Sequence, residues 1–358
     1  MKASERTNSQ PTVSDVARAA GVSRATAARV LGGYGYAGAE ARELVLDAAK
    51  RLAYQPNQLA RSMATGRTKT IGVVVADIEN LYFARAIRAI TDTANAKGFD
   101  VVLANTDENV ELERSAVRVM LAKRVDGLIV SPASSIEVDH LVEARNIGCP
   151  FVLLDRKVPI LEADTVAIDN FPVAREAVST FVRSGHTRIA LVSNSSLEGG
   201  QRYLTSPVRE RLEGYKAALR DAGIRIDPKL AVFGGGDNEN LARKIRKLCQ
   251  SDERPTAFLA VTSAVALVIL GVLAELGLSV PGDVSLICFE NADWTVAVTP
   301  PLTVISQPIK ELASGVTERL INRLQSNSTG PAKETLLSAT LINRGSVASP
   351  PRQRVYSG

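Results

Sequence analysis

Apolar residues between positions 12 and 31 recur at helical spacing. Val13, Val16, Ala17 and Ala20 form one stripe, Thr12 is placed to cap it, and Gly21 offers the permissive backbone of a turn. Ser23 then caps a second helix carrying Arg24 and Arg29. A third helix is predicted at Ala39 to Leu52, where Leu44, Val45, Ala48, Ala49 and Leu52 can cover the first two. The pattern predicts a helix-turn-helix unit that closes its own small core. From Thr70 onward the period changes. Apolar runs at Ile71 to Val75, Val101 to Ala104, Gly127 to Val130, Phe151 to Leu154, Ile189 to Val192, Ala231 to Phe233, Phe258 to Val261 and Ser285 to Phe289 read as strands, with helical stretches between most of them. Strands apolar throughout, alternating with amphipathic helices, predict an α/β core of parallel sheets covered on both faces. Eight or more such units exceed one ordinary sheet, so two doubly wound lobes are expected.

Charge separates the two regions further. Residues 1 to 69 hold 11 Lys and Arg against 5 Asp and Glu, whereas the whole 358-residue chain is only +5. The basic excess therefore sits on the helical end, as phosphate neutralisation requires. Its second helix, polar and basic near its start, fits a DNA major groove. Between the regions, residues 57 to 69 read as a linker that is helical in part, opening at Asn57 after Pro56.

Cys149, Cys249 and Cys288 are odd in number and widely spaced, which points to reduced thiols rather than a disulfide framework or a zinc site. The first thirty residues contain nothing like a signal peptide. The longest apolar run, Ala257 to Leu278, is broken by Thr262, Ser263 and Glu275, and splits into a strand and a helix rather than a membrane span. A soluble, cytoplasmic protein is expected. Enzyme motifs are wanting: the only histidines are His140 and His186, and there is no G-x-S-x-G, P-loop, strand-linked G-x-G-x-x-G or HExxH. Gly234 to Gly236 precede Asp237, a helix N-cap candidate, and carry at most a weak phosphate-cradle signal. No metal or cofactor is expected, and no catalytic residue is assigned.

The headpiece, the linker Y-Q-P-N-Q-L-A-R-S-M-A-T-G-R-T-K-T-I-G and the run after it together resemble the lac-repressor (LacI/GalR) family of bacterial transcription regulators, and the likeness continues to about Arg344. The resemblance implies a periplasmic-binding-protein-like core in which the chain crosses between lobes near Ile168, Gln307 and Leu336. It also implies DNA contacts from Thr12, Ser23, Arg24, Ala25, Thr26 and Arg29 in the headpiece. In the linker helix it implies contacts from Asn57, Leu59, Ala60, Arg61 and Met63, the last standing where the family usually has a minor-groove leucine.

Effector residues follow by the same likeness, at strand ends facing the cleft. Asn80, Tyr82 and Phe83, in D-I-E-N-L-Y-F, resemble a segment whose amide and aromatics hold a sugar ring. Asp155 and Arg156 end F-V-L-L-D-R, where a carboxylate can accept from hydroxyls and a guanidinium offers a planar fork. Arg209 matches the family's loop-to-helix arginine, with Arg211 expected in solvent; Gln307 lies at a crossing. Thr262-Ser263 stand where the family usually has Asn-Asp, and Phe289-Glu290 where it has Phe-Asp. These departures make a neutral sugar less secure: Arg156 and Arg209, with Lys157 and Arg202 near, favour a sugar acid or other small anion, and Glu290 pulls the other way.

The expected organisation is an N-terminal disordered arm (1–11), headpiece (12–56), hinge and linker (57–69), effector-binding core (70–345) and disordered tail (346–358). Within the core, lobe one takes about 70–168 and 308–335, and lobe two about 169–306 and 336–345. The expected function is a ligand-responsive, sequence-specific transcriptional regulator, a repressor that binds pseudo-palindromic double-stranded operator DNA as a homodimer and senses a sugar or sugar acid. The alternative is a solute-binding or carbohydrate-acting protein that shares the two-lobed core.

Overall fold

A computed structural model describes residues 11–32, 35–54, 67–326 and 330–351. It divides into two compact units, Met1–Thr68 and Lys69–Gly358. In the first, helix α1 (Val13–Ala20) opens with a capping box: the Thr12 hydroxyl accepts from the Asp15 amide (3.4 Å), and the Thr12 amide donates back to Asp15 Oδ2 (3.0 Å). Gly21 takes φ +67° to turn the chain. At the start of α2 (Arg24–Gly32), Ser23 Oγ accepts from the Thr26 amide at 3.1 Å. With α3 (Ala39–Arg51) these helices bury Val16, Ala17, Ala20, Ala27, Val30, Val45 and Ala48. Leu44, expected in this core, is 47% exposed, because α3 turns the stripe through Val45 and Ala48 inward and leaves Leu44 on its flank.

The second unit holds two six-stranded sheets. The first has spatial order β2 (Asp100–Asn105), β1 (Thr70–Val75), β3 (Gly127–Val130), β4 (Phe151–Leu154), β5 (Asp164–Asp169) and β11 (Glu334–Ser338), all parallel. The second runs β7 (Ala231–Phe233), β6 (Ile189–Ser193), β8 (Ala257–Ala260), β9 (Ser285–Phe289), β10 (Thr303–Ser306) and β12 (Thr340–Ile342), parallel except that β12 opposes β10. Helices cover both faces of each sheet. In lobe one, α4 (Leu81–Ala96) and α11 (Ile309–Ser326) lie on one side and α5 (Val110–Ala122) and α6 (Asp139–Asn146) on the other, which gives two separate apolar clusters. In lobe two, α7 (Asn170–Arg183), α8 (Ser206–Asp221), α9 (Asn238–Cys249) and α10 (Ser263–Glu275) complete one continuous cluster.

The chain passes between the sheets after β5, after β10, and between Ser338 and Thr340. The last passage falls beyond Leu336 because residues 334–338 extend lobe one's sheet alongside β5. The tail expectation also needs correction, since residues 346–351 pack on lobe two. Ser346 is fully buried; its hydroxyl donates to the Leu286 carbonyl (2.5 Å) and accepts the Thr303 amide (2.8 Å). Ala348 bonds Ser285 through its amide (3.0 Å) and the His186 ring through its carbonyl (2.8 Å). Proline and serine content masked a segment whose backbone groups find fixed partners. The three cysteines are buried and unpaired. Among the described residues no helix is long and apolar enough to cross a membrane.

Candidate functional site

Parallel strands deliver their carboxyl ends to one edge of each sheet, and the loops leaving those ends line a cleft of 770 Å³ between the lobes. Lobe one contributes Asn80, Tyr82 and Phe83 after β1, and Asp155 and Arg156 after β4. Lobe two contributes Thr262 after β8, Glu290 after β9 and Arg211 from α8, while Gln307 stands at the crossing after β10. The rims touch on two sides. The Lys157 amide donates to Ser206 Oγ (2.7 Å) and its ammonium pairs with Glu210. Arg85 donates to the Asn291 carbonyl (2.9 Å) and to Asp293 (2.7 Å).

Asp155 and Glu290 occupy corresponding places after β4 and β9, and both hold left-handed backbone, at φ +65° and +76°. Such conformations cost free energy in a non-glycine residue and persist where surrounding structure imposes them. Both carboxylates are nearly buried, and burial pushes both above the ordinary carboxylate range. For Asp155 the guanidiniums of Arg211 and Arg156 pull the other way; for Glu290 the hydroxyl and amide of Ser263, which both donate to its Oε2, do so.

Arg211 is 5% exposed. Its Nε donates to Asn170 Oδ1 (2.9 Å), its Nη1 to the Val261 carbonyl (2.6 Å), and its guanidinium carbon stacks 3.9 Å from the Phe289 ring centroid. Burial lowers its pKa, with Asp155 and Glu290 opposing that shift. Arg156 is committed differently. Its fork grips both oxygens of Glu108 at 2.6 and 2.5 Å and donates to the Pro132 carbonyl at 2.9 Å. Phe83 lies edge-on to Tyr82, ring centroids 5.2 Å apart.

Four lining residues carry buried polar atoms with no partner among the described residues: Tyr82 Oη, Asp155 Oδ1, Asn194 Oδ1, and both amide atoms of Gln307. Burial and the Asp155 charge hold the Tyr82 phenol well above its ordinary pKa, so it is a neutral hydroxyl. Leaving such atoms unpaired costs about 1–3 kcal/mol each, a cost that a polar ligand removes.

The expected effector residues sort unevenly. Asn80, Tyr82, Phe83, Asp155, Arg156, Thr262, Glu290 and Gln307 all line the cleft; Arg209 does not, and Arg211 takes its place. The reason is helical phase: Arg211 shares the inward stripe of α8 with Tyr215, Ala218 and Leu219, whereas Arg209 stands two residues off it. Asn80 and Thr262 are also helix caps, their side chains accepting from Tyr82 N–H (2.9 Å) and Val265 N–H (3.2 Å). Neither Lys157 nor Arg202 lines the cleft; Arg202 donates to the Tyr203 hydroxyl at 2.9 Å.

In the helical unit, Arg24 and Ala25 are exposed at the start of α2, and Thr26 Oγ1 lies 2.9 Å from Ser23 Oγ. Arg29 is exposed and donates to the Tyr36 carbonyl at 3.3 Å. Thr12 is engaged in its cap. Asn57, Leu59, Ala60, Arg61 and Met63 lie outside the described residues.

A helix-turn-helix unit with exposed basic residues, followed by a two-lobed core around a polar cleft, defines a ligand-responsive DNA-binding regulator. Residues 12–57 match the family of bacterial regulatory proteins described as the lacI family, and residues 178–347 match the periplasmic binding protein-like domain. Catabolite control protein A of Priestia megaterium is 33% identical over 320 residues, covering 89% of this chain and 93% of the relative. A probable opine utilization operon repressor of Rhizobium rhizogenes is 60% identical over 181 residues, covering 51% of this chain and 91% of the relative. The lac repressor dimer bound to operator and the anti-inducer ONPF superposes with a TM-score of 0.81 at 26% identity, covering 95% of this chain and all of that one. The chain belongs to the LacI family of bacterial transcriptional regulators, and it is a sequence-specific DNA-binding protein.

Proposed function

We propose that this protein is a cytoplasmic repressor that binds its operator as a homodimer and changes its operator affinity when a small carbohydrate or sugar acid enters the cleft. The observation that carries the reading is that Tyr82, Asp155 and Gln307, which line a cleft between two lobes, carry buried polar atoms without a partner among the described residues. Aromatic faces beside hydroxyl, amide and carboxyl groups suit a polyol ring. Opine-related compounds belong in the first screen, given the name of the Rhizobium relative. Catalysis forms no part of the reading: among the described residues no histidine or cysteine lines the cleft, and His140 is buried against Glu113 at 2.6 Å. Dimerisation is supported by an exposed apolar stripe on α10, Ala264, Leu267, Gly271 and Ala274, and by Leu112 and Val119 exposed on α5.

The proposed base reader is Arg24, suited to guanine O6 and N7, with Ala25 touching a thymine methyl. The test is a pair of titrations on an operator selected by this protein from random DNA. Operator binding is measured with and without each candidate effector, and effector binding with and without operator; linkage requires the two shifts to be equal. Arg24→Ala is expected to relax preference at one base pair of each half-site, costing about 1–3 kcal/mol there. Uniform weakening on all sequences would sink the base-reading assignment, and no effector shift at all would sink the cleft.

A further inference from the structure

The charge of the cleft is out of balance. Seven carboxylates and two guanidiniums line it. One guanidinium, Arg156, is already neutralised by the two-pronged grip of Glu108. The other, Arg211, is left to face both buried carboxylates, Asp155 and Glu290. Asp77, Glu79 and Glu198 add negative charge around the mouth. A cleft walled by low-dielectric protein and lined by an excess of one sign of charge focuses its potential, so it concentrates cations and repels anions.

Inside, Asp155 is 6% exposed and its Oδ1 has no hydrogen-bond partner among the described residues, although Tyr82 Oη and Gln307 are unpartnered in the same cleft. A buried carboxylate in this state is stabilised most by a donor that also carries positive charge. Arg211 supplies the complementary half. Two of its nitrogens are fixed on Asn170 and Val261, and its Nη2 makes no hydrogen bond among the described residues, leaving one cationic donor available. Beyond these groups the second lobe offers Ser193, Asn194, Ser195 and Asn238, hydroxyls and amides of the kind that bind a chain of hydroxyl groups.

Resting on the proposed regulator reading, we propose that the effector is a carbohydrate bearing an amino-acid head, with its protonated amine seated on Asp155 and its carboxylate on Arg211. A neutral sugar brings no positive charge to the unpartnered Asp155 Oδ1, and a sugar acid without an amine meets the surplus of carboxylates.

Four probes with the same hydroxylated tail separate these cases: glucitol, gluconate, 1-amino-1-deoxyglucitol and N-(1-deoxyglucityl)glutamine. Calorimetric titration of the full-length protein is expected to rank the glutamine conjugate first, at least tenfold tighter than glucitol, with the amine second and gluconate last. Asp155→Asn keeps the shape and tolerates the left-handed backbone, and is expected to weaken the conjugate at least tenfold while leaving glucitol affinity unchanged. Its melting temperature, compared with that of the parent, checks that it folds. Glucitol or gluconate binding as tightly as the two amines to the unaltered protein overturns the inference while leaving the regulator reading intact. Binding of the conjugate without any change in operator affinity overturns the regulator reading instead, and failure of all four probes to bind overturns both.

Discussion

The two walls of the cleft are built alike and finished differently. Each has a buried carboxylate in left-handed backbone after the corresponding strand of its sheet. In lobe two the two charged groups are held in place, Arg211 by Asn170, Val261 and the Phe289 ring and Glu290 by Ser263, although Asn194 Oδ1 stays unpartnered among the described residues. In lobe one Tyr82 and Asp155 keep buried polar atoms unpaired, as does Gln307 at the crossing. One wall is pre-organised, and the other stores a cost that a ligand relieves. A ligand able to satisfy the first wall only when both walls reach it binds one lobe arrangement better than another, and that difference is what can drive regulation.

The sharpest way to break the comparison is Arg211→Ala. On the pre-organised wall this removes a buried charge that balances Asp155 and Glu290, and destabilisation of about 3–5 kcal/mol is expected, read as a lower denaturant midpoint. Arg211→Lys should recover little, because an ammonium cannot reproduce the fork on Asn170 and Val261. Stability unchanged in Arg211→Ala would mean that the second wall is not a structural network. Tyr82→Phe probes the other wall and has a smaller effect on stability. Deleting this buried hydroxyl beside Asp155 should leave unliganded stability within about 1 kcal/mol of the parent, read as the melting temperature, while weakening effector binding about 5- to 30-fold. Effector affinity unchanged in Tyr82→Phe would remove the hydroxyl from the binding wall.

The smallest effect concerns the frame beneath lobe two, where His186 meets Thr256 Oγ1 (2.8 Å), Ser285 Oγ (3.0 Å) and the Ala348 carbonyl (2.8 Å). Burial holds its pKa below the ordinary value of 6.5, although the Ala348 carbonyl pulls upward. Below pH 6.5 the unfolded chain therefore binds a proton that the folded chain does not, so stability falls as pH drops through that range, by less than about 1 kcal/mol between pH 7 and 6. His186→Gln should flatten this slope in thermal melts; an unaltered slope would assign it to other groups.

Much of this architecture was legible in the chain. Apolar runs such as Phe151 to Leu154 and Ser285 to Phe289 gave strands with the observed bounds, since continuous burial leaves an unmistakable pattern. The strands at 164–169, 303–306, 334–338 and 340–342 were not read out, and the last two alternate or stay exposed at sheet edges, where a short amphipathic stretch resembles a loop. Position after a strand was enough to put Asp155 and Glu290 on the cleft. It failed for the arginine on α8, where motif likeness pointed to Arg209; the helical phase set by Leu212, Tyr215, Ala218 and Leu219 was in the sequence and selects Arg211. Glu108 was missed altogether, since a residue 48 positions before Arg156 announces its pairing only once the loops after β2 and β4 meet.

The adjacent strands at 334–338 and 340–342 complete opposite lobes, one beside β5 and the other beside β10. During synthesis both sheets therefore emerge from the ribosome with an open edge, and neither can be finished until one stretch of fewer than ten residues has been translated. A nascent chain halted before residue 334 exposes two sticky strand edges at once, which makes it a client for chaperones and proteases rather than a half-working regulator.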